Sequence, residues 1–186
     1  LQGTPDAGGS WSGPVGNVYT YTVTATSPCT VDATATVTVS TQAQPNAGSN
    51  GTLTVCAGTT PTNTQLFNAL QGTPDAGGSW TNEDNVYTYT VTATSPCTSP
   101  ATATVTVSTQ AQPNAGSNGT LTVCAGTTPT NTQLFNALQG TPDAGGSWSQ
   151  SGNVYTYTVT ATSPCTSPAT ATVTVSTQAQ PNAGSN

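Results

Sequence analysis

The sequence predicts an all-β protein made of small β-sandwich domains in tandem. Three observations carry this reading. An eleven-residue motif, Leu1–Trp11, returns as Leu70–Trp80 and again as Leu138–Trp148, at intervals of 69 and 68 residues. Long stretches alternate apolar or aromatic residues with threonine. No segment carries a convincing helical period. A period near 68 is too long for helical solenoids or β-helices. It suits an independent domain near the lower size limit for one that folds alone.

One repeat yields its elements in order. Pro45–Gly51 is turn-rich and aperiodic, a linker or domain edge. Thr52–Cys56 alternates and predicts a short strand, which Gly58–Pro61 breaks. Asn63–Leu70 carries Leu66, Phe67 and Leu70, compatible with helix or strand, and the β-rich context favours a strand. Gly72–Gly78 is a turn cluster, Trp80 opens the next strand, and Asn82–Asn85 reads as a loop. Val86–Thr94 is the strongest signal. Tyr87, Tyr89, Val91 and Ala93 fall on one face and four threonines on the other, the period of two of a half-buried strand. Ser95–Pro100 turns, and Ala101–Thr109 alternates again with Ala103, Val105 and Val107 inward, so the two strands form a hairpin.

Five or more strands per unit place the domains in the immunoglobulin-like class of β-sandwich. The predicted large core pieces are Trp11, Trp80, Trp148, Phe67 and Phe135, with the tryptophans in equivalent buried positions. The antibody pattern itself is missing. Trp80 lies 24 residues after Cys56, and Tyr89 is not two residues before Cys97. The predicted boundaries are the C-terminal part of a repeat at 1–44, complete repeats at 45–112 and 113–180, and the start of another at 181–186. Opening inside the motif and closing where earlier copies continue into Gly51–Cys56, the chain reads as a window of a longer repetitive protein.

The five cysteines fall in two classes: Cys29, Cys97 and Cys165 in Ser-Pro-Cys-Thr turns, Cys56 and Cys124 in Thr-Val-Cys-Ala strands. Two per repeat imply one disulfide per repeat in an extracellular setting. Pairing within a domain joins Cys56 to Cys97 and Cys124 to Cys165; pairing across domains joins Cys29 to Cys56 and Cys97 to Cys124. Loop entropy does not separate them, since both loops give roughly 4 kcal/mol. The within-domain pairing is favoured because a small sandwich with few large apolar groups needs an internal staple. Two cysteines per repeat without histidine make no four-ligand zinc site.

Charge excludes further classes. The chain has no Lys, Arg or His and six acidic residues, a formal net charge of -6. Without cations it offers no electrostatic grip on nucleic acid or an anionic membrane surface. It also offers no imidazole base, no Ser-His or Cys-His pair and no cationic electrophile, so the chain is read as not an enzyme. No apolar run is long enough to span a bilayer, so this segment is not expected to insert in one. Asp6, Asp75 and Asp143 recur once per repeat in Pro-Asp-Ala-Gly-Gly. The plain reading is a turn former bonding its own backbone; the alternative is Ca2+ at domain junctions, with Glu83 and Asp84 adding carboxylates in one copy only. No other metal or cofactor is expected.

Threonine-rich outer faces are first of all good solvent-facing strand surfaces. They also suit O-glycans and, less well, an ice-binding array. Asn50-Gly-Thr52 and Asn118-Gly-Thr120 match the N-glycosylation sequon, a motif of low specificity. The copies differ almost only after the tryptophan, at Ser12–Gly16, Thr81–Asp84 and Ser149–Gly152, and at Thr30–Asp32 against Thr98–Pro100. Asn82, Glu83 and Asp84 are therefore the candidate ligand loop.

Cys-Ala-Gly-Thr-Thr-Pro, Leu-Phe-Asn-Ala-Leu, Pro-Asp-Ala-Gly-Gly-Ser-Trp and Val-Tyr-Thr-Tyr-Thr-Val-Thr-Ala together resemble the Ig-like repeats of giant Bacteroidetes cell-surface adhesins, SprB-like substrates of type IX secretion. The resemblance covers the whole chain and transfers no catalytic residue. It implies a secreted, cell-surface adhesin or extracellular filament, with a C-terminal sorting domain elsewhere. The expected function is a rigid shaft whose repeats supply length. The alternative is a module that reads a glycan or protein partner through the loop after the tryptophan, favoured if Trp80 is exposed beside that loop. Edge strands without lysine further suggest self-association, with Ser108–Gly119 extended and able to swap a strand between repeats or chains.

Overall fold

The computed structural model describes every residue except Ala183, Ser185 and Asn186. The predicted start of a further repeat at 181–186 therefore lies partly outside the described residues. The chain is all-β, in small immunoglobulin-like, sandwich-like units. Its strands are β1 (Ser10–Val15), β2 (Val18–Val23), β3 (Ala33–Thr38), β4 (Gly51–Cys56), β5 (Ser79–Glu83), β6 (Val86–Val91), β7 (Ala101–Gln110), β8 (Gly119–Cys124), β9 (Ser147–Ser151), β10 (Val154–Val159) and β11 (Ala169–Gln178). Two short helices, α1 (Asn63–Ala69) and α2 (Asn131–Ala137), follow β4 and β8.

The strands form a three-stranded sheet β1-β2-β3 and two four-stranded sheets, β4-β7-β6-β5 and β8-β11-β10-β9. The Thr-alternating hairpin is antiparallel as expected, from Val86 opposite Thr106 to Val91 opposite Ala101. The first strand of each complete repeat instead lies parallel to its last, from Gly51 opposite Val105 to Cys56 opposite Gln110. A parallel neighbour requires a crossover rather than a tight turn, and α1 with the β5–β6 hairpin supplies it. β4 pairs with β7 and β8 with β11, so each complete repeat uses its own strands and no strand is swapped between them. The extra residue after Trp11 is absorbed as an irregularity between Ser12 and Val15.

Asn63–Ala69 is a helix, not the strand favoured by its context. Thr62 caps it reciprocally: its hydroxyl accepts from the Gln65 N–H, and the Gln65 side chain accepts from the Thr62 N–H. This capping box satisfies two donors that a strand would have left to a ladder. The helix points Leu66, 1% exposed, onto the sheet. Its C-terminus passes so close to the start of β4 that a Cβ on Gly51 would overlap the Ala69 carbonyl. Gly119 stands in the same relation to Ala137.

Each complete repeat has its own core. In the first, Val55, Leu66, Leu70, Tyr89, Val91, Ala103, Val105 and Val107 are buried around Ala47, with Leu53, Phe67, Trp80 and Tyr87 packed against them. The second core repeats this arrangement around Leu134, Tyr157 and Val173, with Phe135 and Trp148 packed against it. Phe67 meets Tyr89 edge-on at 5.5 Å, and Trp80 lies 4.9 Å from the same ring. Thus tyrosine, not tryptophan, is the fully buried aromatic, and Trp80 and Trp148 are only half-buried. Trp11 does not fit the core assignment: it is 51% exposed, because no equivalent of β4 and α1 covers its sheet.

Candidate functional site: the junction between repeats

The sequence points to four places where chemistry could reside: the cysteines, the recurrent aspartates, the sequons and the variable loop. Only the cysteines are brought together. Cys56 is bonded to Cys165, across 109 residues and two successive repeats. Neither predicted pairing occurs. The parallel placement of β4 puts Cys56 at the C-terminal end of β7, opposite Gln110. Cys97 precedes the N-terminal end of β7. The ten residues of β7 separate them by about 30 Å at ~3.3 Å per residue. A disulfide tolerates a Cα separation of only about 7 Å. Cys124 and Cys165 are held apart in the same way by β11. The bond across units joins a strand-end cysteine to the turn cysteine of the following repeat, whereas Cys29–Cys56 and Cys97–Cys124 would join a turn cysteine to the far strand end of the following repeat. Cys29, Cys97 and Cys124 are free thiols.

Around the bond the two repeats build one cleft of about 420 Å³. The end of the first repeat contributes Thr54, Cys56, Thr59 and Gln112, and the Pro164–Ser167 turn of the next closes the other side. The Cys165 sulfur is buried, 3.6 Å from the Gln110 carbonyl oxygen and 3.7 Å from that of Ala111. Gln112 donates from Nε2 to the Ala57 carbonyl, and Gln180 does the same to Ala125. The Ala57 N–H donates to Gln110. These contacts hold the stretch that leaves β7 against the end of β4. Sequence reasoning missed this role of the glutamines, although Gln-Ala-Gln recurs at 42–44, 110–112 and 178–180.

The aspartates do not bond their own turn as expected. Asp75 Oδ2 accepts from the Asn46 N–H at 2.8 Å, and the Asp75 N–H donates to the Asn46 carbonyl at 2.7 Å. Tyr89 donates its hydroxyl proton to the Asp75 carbonyl. The aspartate thus clamps the inter-repeat segment to the 72–78 loop, and Asp143 does so with Asn114 and Tyr157. Among the described residues, no group of three or more His, Cys, Asp and Glu side chains assembles. Each residue of the Asn50-Gly-Thr52 sequon has a structural task. Asn50 Oδ1 accepts from the Thr104 N–H, Gly51 makes room for Ala69, and Thr52 pairs with Thr106.

The variable loop is smaller than expected. Asn82 and Glu83 belong to β5, and Asp84-Asn85 forms a two-residue hairpin turn. Such a turn needs φ > 0 at its first central position. Asp84 has φ 54°, where the other units place Gly16 and Gly152. The invariant asparagine then ties the tip down: Asn85 donates from Nδ2 to the Val107 carbonyl, and Asn17 and Asn153 make the same bond in their units. A hollow of about 300 Å³ lies beside Trp80, lined by Asn63, Phe67, Gly78 and Tyr89, and the variable residues take no part in it.

No family model and no curated protein matches the chain. Among the described residues, no helix is long and apolar enough to cross a membrane.

Proposed function

We propose that the chain is a structural, adhesive shaft segment of an extracellular surface protein or filament, whose repeats supply length and stiffness. The observation that carries this reading is the Cys56–Cys165 bond, which ties the end of one repeat to a turn of the next. Domains joined only by a polar linker move freely by default. A covalent strut beside the linker gives the junction between the second and third units a second point of attachment and resists hinging. The Asn46–Asp75 and Asn114–Asp143 clamps act in the same direction, holding the linker against its own repeat. A persistent disulfide belongs to an oxidising compartment, which supports a location outside the cell. The lack of Lys, Arg and His leaves few means of acid–base catalysis and supports a non-enzymatic role. The alternative, glycan or partner recognition through Asn82, Glu83 and Asp84, is weakened by the tight hairpin at that point and by its separation from the hollow beside Trp80.

Small-angle scattering on the chain tests the shaft. Under oxidising conditions the profile should be that of a rod, and reduction should lower its stiffness. A freely jointed profile in the oxidised state would sink the reading.

A further inference from the structure

The asparagines of the two sequons differ from others in the fold by the atom that bonds. Asn17, Asn46, Asn85, Asn114 and Asn153 each donate from Nδ2 to a backbone carbonyl. Their amide nitrogens are committed to the fold, and none of the five stands in an Asn-X-Ser/Thr sequence. Asn50 and Asn118 do the opposite. Each accepts through Oδ1, from the Thr104 N–H at 2.9 Å and from the Thr172 N–H at 2.8 Å. The partner fixes the orientation of the amide, because a backbone N–H can be received only by its oxygen. Nδ2 is then the limb turned away from that bond, on a side chain that is exposed in both repeats. Thr52 and Thr120, which complete the sequons, are exposed as well.

We propose that Asn50 and Asn118 are N-glycosylation sites, each carrying a sugar on Nδ2 while Oδ1 keeps its bond to the neighbouring strand. The fold and the modification make demands on different atoms of one amide, so the sugar costs the sheet no hydrogen bond. The position also gives the sugar a task. β4 and β8 are edge strands, paired on one side only, and Gly51–Cys56 and Gly119–Cys124 contain no charged residue and no proline. Sheet edges are ordinarily guarded by lysine, proline or a bulge. A bulky, solubilising sugar on the residue before each strand supplies such a guard and hinders the docking of another strand. This goes beyond the shaft reading and does not depend on it.

The donor is a sugar activated at its anomeric carbon by a diphosphate, carried on a lipid or on a nucleoside. Nδ2 attacks that carbon, the nitrogen–carbon bond forms and the bond from the carbon to the diphosphate oxygen breaks. The diphosphate leaves with the electron pair, and Nδ2 gives up one of its two protons. Oδ1 remains a carbonyl oxygen and an acceptor.

The test is peptide mapping of the chain taken from the cells that produce it, with chymotrypsin because the chain offers trypsin no Lys or Arg. Electron-transfer fragmentation should place a sugar on Asn50 and Asn118 and on no other asparagine. An oligosaccharide there identifies the lipid-borne donor, and a single hexose the nucleoside-borne one. Unmodified or merely deamidated asparagines, or sugar on Thr52 and Thr120 instead, would overturn the proposal. Thr52→Ala and Thr120→Ala should remove the sugar and leave the Asn50 and Asn118 bonds in place. Amide exchange at Thr104 and Thr172 should be equally slow in the sugar-bearing chain and in these bare variants. Faster exchange in the sugar-bearing chain would mean that the sugar displaces the bond, against the proposal. Self-association, read by sedimentation, should rise in the bare variants, and an unchanged value would overturn the guarding of the edges.

Discussion

The first unit and the second carry nearly the same sequence from their shared motif to the last strand, and they differ in what lies over the sheet. Their local structure is the same. Val18 pairs with Thr38 and Val23 with Ala33, as Val86 pairs with Thr106 and Val91 with Ala101. Trp11 sits 5.2 Å from Tyr21, and Trp80 sits 4.9 Å from Tyr89. Tyr21 donates to the Asp6 carbonyl and receives the Gly9 N–H, as Tyr89 does with Asp75 and Gly78. Burial is where they part. Tyr89 is 2% exposed and Tyr21 is half-buried; Ala103 is buried and Ala35 lies open. Hairpin register is therefore a local matter, decided by the two-residue turn and the alternation of side chains. A core is not local. It needs β4 and α1, which arrive from a distant part of the repeat.

The largest test of this comparison is at the junctions. The bond from the second unit to the third closes a loop of 109 residues, while the junction between the first and second has none. Replacing Cys56 and Cys165 by serine should destabilise the chain by about 4.7 kcal/mol on the chain-entropy estimate. Denaturant titration monitored by hydrogen exchange should show the loss in the second and third units and not in the first. Equal loss in all three would break the distinction.

Next in size, Leu66→Ala removes the side chain through which α1 covers the sheet. It should cost about 3 kcal/mol and raise amide exchange in β6 and β7 toward the rates of β2 and β3. If β6 and β7 keep their protection, α1 is not what separates the two units. The smallest effect sharpens the comparison. Tyr89→Phe leaves the Gly78 N–H without its acceptor in a partly buried setting and should cost about 1–3 kcal/mol. Tyr21→Phe deletes the same two bonds under a half-buried ring, where the Asp6 bond is exposed and the Gly9 bond part-buried, and should cost less than Tyr89→Phe, about 1 kcal/mol by equilibrium unfolding.

Much of the fold was legible because it depends on neighbours in sequence. The period of two in Val86–Val91 and Ala101–Thr109 identifies the hairpin, its inward face and the repeat that contains it. The helix was legible in principle too. Thr62 and Gln65 form a capping signature three residues apart, outweighed in the reading by the β-rich surroundings. The candidate site was legible only in part. Two classes of cysteine, one in a turn and one at a strand end, identify the bonding partners by kind, and Cys56 does join a turn cysteine.

What sequence alone determined is therefore part of what short-range geometry controls: repeat period, strand faces, the long hairpin and the chemical type of the two bonded cysteines. The tertiary structure decided which copies meet. A parallel β4 sends Cys56 to the far end of β7, beyond reach of Cys97 and against the turn of the following repeat. Nothing in the local pattern of Gly51–Cys56 distinguishes parallel from antiparallel pairing, because both present the same alternation of faces. The choice rests on the long crossover through α1, and with it the difference between a staple inside one repeat and a strut between two.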